Sequence, residues 1–162
     1  MTVSDTKTPR ETDSAPPESR QRARRLAEDV GRLVDWRIGG PRGLQARYLH
    51  NESRARGEMA ALRKGASRDS GELPEIWELT SVEIPEYASD APTREEIAVH
   101  TAMTLYAVHQ QPRTEPMFAP GRGLGRAARS LIGPPDEENP SARARFNALV
   151  TSTTVTELRH HL

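Results

Sequence analysis

An all-α fold, a bundle of about six to seven helices, is predicted by three observations. Apolar residues recur at helical spacing in several windows, and no stretch alternates with period two for long enough to make a strand. Hydrophobic residues are 35%, aromatics 4% and charged residues 28% of the chain, with a mean hydropathy of -0.74. A core that thin is built from one apolar stripe per helix. The length of 162 residues suits one core.

Residues 1–18 carry Ser, Thr, Pro, Asp and Glu with almost nothing to bury, so a disordered tail is expected there and a single helical domain over 19–162. Leu26, Val30, Leu33 and Val34 define the first amphipathic helix, which stops at Gly39-Gly40-Pro41. A second helical stretch runs from about Arg42 to Lys64, with a break near Asn51 and Gly65 as its stop. Leu73, Ile76, Trp77 and Leu79 make a short helix opened by Pro74. Pro85 and Ser89-Asp90-Ala91-Pro92 read as a loop. Thr93 with Glu96 forms a capping box for the longest apolar helix, carrying Ile97, Thr101, Met103, Leu105 and Val108, which ends before Pro112 and is expected to be central in the core. After a loop over 112–121, Leu124, Ala127, Ala128, Leu131 and Ile132 define a helix closed by Gly133-Pro134-Pro135. Ser141 is read as the cap of a helix carrying Phe146, Leu149 and Val150, and Thr154 as the start of the last helix.

The formal net charge is zero, but the charges are segregated. From Arg20 to Arg68 thirteen basic residues face five acidic ones, a net of +8, and from Asp69 to Glu96 nine acids and one base give a net of -8. With no cysteine there is no disulfide framework, thiolate metal site or Cys nucleophile. No stretch approaches 18 apolar residues and Met1 to Pro17 has no apolar h-region, so no membrane partner is expected and the location is read as cytoplasmic.

Three stretches, in this order, resemble the CasB family, the small subunit of the type I-E CRISPR Cascade complex. They are Arg56–Gly65 followed by Glu72–Leu79, then the helix Ile97–Gln111 containing Leu-Tyr-Ala-Val-His-Gln-Gln, then Gly121–Ala127 followed by Ala144–Val150. Together they cover roughly residues 45 to 160. The resemblance implies a non-catalytic helical subunit of an RNA-guided antiviral complex. Its implied partners are the Cascade backbone and large subunits, a second copy of itself, guide RNA, and target and displaced DNA. It also implies stabilisation of the displaced strand when the R-loop opens. The family's members continue into further C-terminal helices, which this chain, ending at Leu162, is expected to lack.

Arginines are the candidate binding residues, because a guanidinium fork suits phosphate. Arg122, Arg126 and Arg129 fall at i, i+4 and i+7 after a Gly-rich start that is neither a Walker A nor a dinucleotide fingerprint, and they form one stripe if the segment is helical. Arg63, Lys64 and Arg68 make a second cluster and Arg54 and Arg56 a third, with neutralisation of the nearby acidic block as the competing reading. Arg143 and Arg145 flank the Phe146 helix. For Arg122, Arg126 and Arg129 the plainer alternative is a solvated helix face. His100 and His109 point to opposite sides of their helix and His160-His161 diverge, so no metal and no cofactor are expected. Without paired carboxylates in an apolar frame or a Gly-x-Ser-x-Gly elbow, no enzyme is expected either. The alternative function is a helical protein-protein adaptor that assembles through complementary charged faces without binding nucleic acid.

Overall fold

The structure is a computed structural model and describes residues 17–83, 90–111 and 113–162. Among these residues there is no strand. Seven helices of six residues or more are α1 (Pro17–Gly39), α2 (Leu44–Leu49), α3 (Ser53–Gly65), α5 (Arg94–Gln110), α6 (Leu124–Ile132), α7 (Pro140–Thr151) and α8 (Val155–His161). A one-turn α4 (Trp77–Thr80) continues the 3-10 turn Pro74–Ile76. The all-helical expectation holds. The expected tail lies outside the described residues except for Pro17 and Glu18, which belong to α1, and the loop expected around Pro85 is also outside them up to Ser89.

α5 is the central element, packed against α1, α3 and α4. It begins where Thr93 and Glu96 close a full capping box: the Thr93 amide donates to Glu96 Oε2 at 2.7 Å and the Glu96 amide to Thr93 Oγ1 at 3.2 Å. Its buried side is Val99, His100, Met103, Thr104, Tyr106, Ala107 and Gln110. That face is rotated from the expected one: Met103 is buried, Ile97, Thr101 and Leu105 are half-buried, and Val108 is exposed. Apolar residues occur almost all round this helix, so periodicity locates the element but not the side turned inward.

Ile38 of α1, Leu44 of α2, Ala55, Met59 and Leu62 of α3, and Ile76 complete the core. The break at Asn51 is observed, with Asn51 in the left-handed region at φ 60°, which Asn tolerates better than most residues. Gly65 ends α3 as expected, but its role is close packing rather than a left-handed stop. Ala66 after it is right-handed helical, and a Cβ on Gly65 would sit 2.6 Å from Ile76 Cδ1.

Two side-chain amides, buried Gln110 and half-buried Gln45, organise the connection after α5. Gln110 Oε1 accepts from the Met117 amide at 3.1 Å, and its Nε2 donates to the carbonyls of Glu115 at 2.9 Å and Arg113 at 3.1 Å. Gln45 of α2 pairs with both backbone groups of Phe118, at 2.8 and 3.1 Å.

α6 packs on α7 and α7 on α8, forming a lobe whose buried apolar residues are only Ala128, Ile132 and Leu149. Gly133, at φ 85°, ends α6. The cap of α7 is not Ser141. Asn139 holds that position, its Oδ1 accepting from the Ser141 and Ala142 amides at 3.1 Å each, with Pro140 at the first helical position, where its missing N–H is no loss. Thr154 caps α8 as expected, accepting from the Glu157 amide at 3.1 Å.

Candidate nucleic-acid interface

The ten candidate cations fall into separate places. Arg54 and Arg56 stand at the start of α3, and Arg63, Lys64 and Arg68 at or beyond its end, so Arg54 and Arg63 are about 13 Å apart along the axis. Arg54 pairs with Glu58 at 2.9 Å and reaches Glu78 at 3.7 Å, while Arg56 donates to Asn51 Oδ1 at 3.3 Å. Lys64 pairs with Glu75 at 3.2 Å. Through Arg54–Glu78 and Lys64–Glu75 the basic and acidic blocks neutralise each other in part, as the competing reading anticipated. Such exposed pairs are weak, contributing about 0–1 kcal/mol each. Arg63 is half-buried and Arg68 exposed, and neither has a carboxylate partner among the described residues.

Arg122, Arg126 and Arg129 do not share one helical stripe. α6 starts at Leu124 with Gly123 as its cap, so Arg122 lies in the preceding turn, beside a shallow cleft shared with Glu28, Arg32 and Asp35 of α1. The extended backbone of Gly123 stops the helix short of Arg122, and Gly121 before it has a positive φ of 72°. Arg126 and Arg129, at i and i+3 on α6, are exposed neighbours with no carboxylate partner among the described residues. Arg129 lines a cleft of about 750 Å³ between α6 and α7 together with Arg143. Arg143 is occupied by Glu138, and its hydrogen bond holds the Glu138 carboxyl below the usual range. Arg145 lies on the other side of α7, unpaired, in a groove that also involves α6 and α8.

Several structural roles of charged and polar side chains were not marked in the sequence. Arg159 of α8 reaches across to the end of α3, donating to the carbonyls of Ala66 at 2.7 Å and Arg68 at 3.3 Å. Buried His100 bonds through Nε2 to the carbonyls of Gly65 at 3.2 Å and Arg68 at 3.0 Å. Burial lowers the His100 pKa and the Arg159 charge adds to this, opposed by those carbonyls and by Asp69. Arg37 donates to the carbonyls of Leu79 at 3.0 Å and Ser81 at 2.7 Å, tying α1 to the end of α4. Their partners lie 32 to 93 residues away, so no local pattern announces them. Among the described residues no cluster of His, Cys, Asp and Glu is placed to hold a metal ion, and no helix is long and apolar enough to cross a membrane.

The family model of CRISPR-associated protein Cse2 matches residues 58–162, from the middle of α3 through α8. No curated protein and no solved structure matches the chain. The match takes in eight of the ten candidate cations, leaving out Arg54 and Arg56. It spans the three stretches noted in the sequence apart from Arg56 and Gly57. With well over half of its length matched, the chain belongs to the CRISPR-associated Cse2 family, the small subunit of the type I-E Cascade complex.

Proposed function

We propose that this Cascade subunit is non-catalytic and holds a nucleic-acid backbone through exposed arginines, so stabilising the displaced DNA strand of the R-loop. The observation that carries the reading is the pair Arg126 and Arg129: adjacent on α6, exposed, and without a carboxylate partner among the described residues. Arg63, Arg68 and Arg122 extend the same chemistry to the end of α3 and to the turn before α6. Guanidinium groups so placed neutralise phosphates without reading sequence, and base pairing to a guide RNA supplies specificity, by analogy with other RNA-guided effectors. Electrostatics dominates, because the chain has seven aromatic residues and Tyr106 is in the core.

Five phosphate contacts on a single strand give a log-log salt slope of about -3.5, and each arginine removed makes it shallower by about 0.7. The test is single-strand binding by Cascade containing the wild-type subunit or the Arg126→Glu, Arg129→Glu double variant, titrated across salt. Reduced affinity and a shallower slope, with assembly intact, are expected. Assembly lost while strand binding by the remaining complex is unchanged would instead assign these arginines to a protein-protein adaptor.

A further inference from the structure

The α6–α8 lobe carries an open apolar groove of about 350 Å³ that the backbone-binding role does not use. One wall is the α6 stripe Leu124, Ala127 and Leu131, and the other is the α7 stripe Arg145, Phe146 and Leu149. Leu124 and Leu131 are 55% and 70% exposed, although both stand on the stripe that the sequence marks for burial. Two large aliphatic side chains left open one above the other give the groove an apolar wall that a partner can cover. The groove lining contains no Asp or Glu, and its one arginine, Arg145, has no carboxylate partner among the described residues. An occupant with apolar side chains at helical spacing and a carboxylate beside Arg145 complements this lining.

We infer that this groove docks an acidic amphipathic helix of a protein partner, its apolar stripe seated on Leu124 and Leu131 and a Glu or Asp of its flank paired with Arg145. α6 is nine residues long, so about 13 Å of helix, or two to three turns, fills the contact. A nucleic-acid strand suits the surface less well. The walls are mainly aliphatic, Phe146 is half-buried rather than offered as a stacking face, and Arg126 and Arg129 do not line the groove. Helix-in-groove recognition with a charged residue at the edge of an apolar slot gives both affinity and partner choice.

The probe is a labelled, end-blocked helical peptide of four turns with Leu along one stripe and Glu beside it, compared with the same peptide carrying Lys for every Glu. Binding to the full chain is followed by fluorescence anisotropy. The Glu peptide is expected to bind and the Lys peptide to bind at least about tenfold more weakly. Arg145→Glu should invert that preference, and Leu131→Asp should weaken the Glu peptide by about tenfold or more while leaving the circular dichroism unchanged, because Leu131 is mostly exposed. Arg126→Glu with Arg129→Glu should leave peptide binding in place, so failure of the backbone-binding role and failure of this one are read separately. The inference is overturned by either of two peptide results: no binding of the Glu peptide at millimolar concentration, or equal binding of both peptides that is untouched by Arg145→Glu. Self-association of the chain abolished by Leu131→Asp would overturn it in favour of a second copy, and single-strand binding abolished by Leu131→Asp would overturn it in favour of nucleic acid.

Discussion

Although α1 and α3 of the α1–α5 body are more polar than α6 and α7 of the α6–α8 lobe, it is the body that buries more of its apolar residues. In the body, α1, α3 and α4 converge on α5, and ten apolar residues close into one cluster. In the lobe the helices pack in series, so each short helix has one or two neighbours and only Ala128, Ile132 and Leu149 are buried. A central helix lets every surrounding element bury its stripe, whereas a serial arrangement leaves a stripe open. The body is thus stabilised by its interior. The lobe relies on caps, on Gly133 and on Arg159, and presents cations and apolar side chains outward.

The widest separation between the two regions should appear in core truncation. Leu62→Ala, at a fully buried position of α3, is expected to cost about 2–5 kcal/mol in denaturant unfolding, whereas Leu131→Ala on α6 should stay within about 0.5 kcal/mol. Similar costs at the two sites would erase the distinction. A smaller effect should follow from Arg159→Ala, which removes two hydrogen bonds from α8 to the end of α3 and is expected to cost about 1–2 kcal/mol. Amide exchange should then rise in α8 and at residues 66–68 while α5 keeps its protection. Equal loss of protection in α5 would show the lobe and body unfolding as one unit.

The smallest effect is the pH dependence set by His100 within the body. Burial lowers its folded pKa below the unfolded value of about 6.5, so the unfolded chain binds more protons and stability rises with pH. The His100 contribution is therefore complete above about pH 6.5 and declines as pH falls below that value toward the folded pKa. His100→Gln, which retains a donor toward the Gly65 and Arg68 carbonyls, should flatten this slope in urea midpoints measured from neutral to mildly acidic pH. An unchanged slope would place the acid sensitivity elsewhere.

The helices were legible in the sequence because their signals are local. Thr93 and Glu96 specify a capping box three residues apart, and Gly133-Pro134-Pro135 stops α6 wherever the helix packs. Burial was less legible, because it depends on what arrives from elsewhere. Leu124 and Leu131 have the spacing of core residues and remain exposed, while His100, polar by composition, lies inside because the distant Gly65 and Arg68 carbonyls receive it, and Gln110 because the loop after α5 folds back onto its amide. At α7, Ser141 and Asn139 are both competent caps, and Pro140 decides between them by fitting the first helical position behind Asn139. Among the candidate cations, the pairing of Arg54 with Glu58 could be read from their spacing of four residues. That of Lys64 with Glu75 required the chain to turn back through residues 66–74.

The clasp of Gln45 on both backbone groups of Phe118 ties the entry of the lobe to α2, as Arg159 ties its last helix to the end of α3. Beyond that anchor only Ala119, Pro120, Gly121, Arg122 and Gly123 precede α6, a leash of five residues that stretches to about 17 Å at most. Pro120 stiffens it further. Under the proposed function, a strand held by Arg126 and Arg129 would stay close to α2, because the lobe is tied to the body both before α6 and through α8.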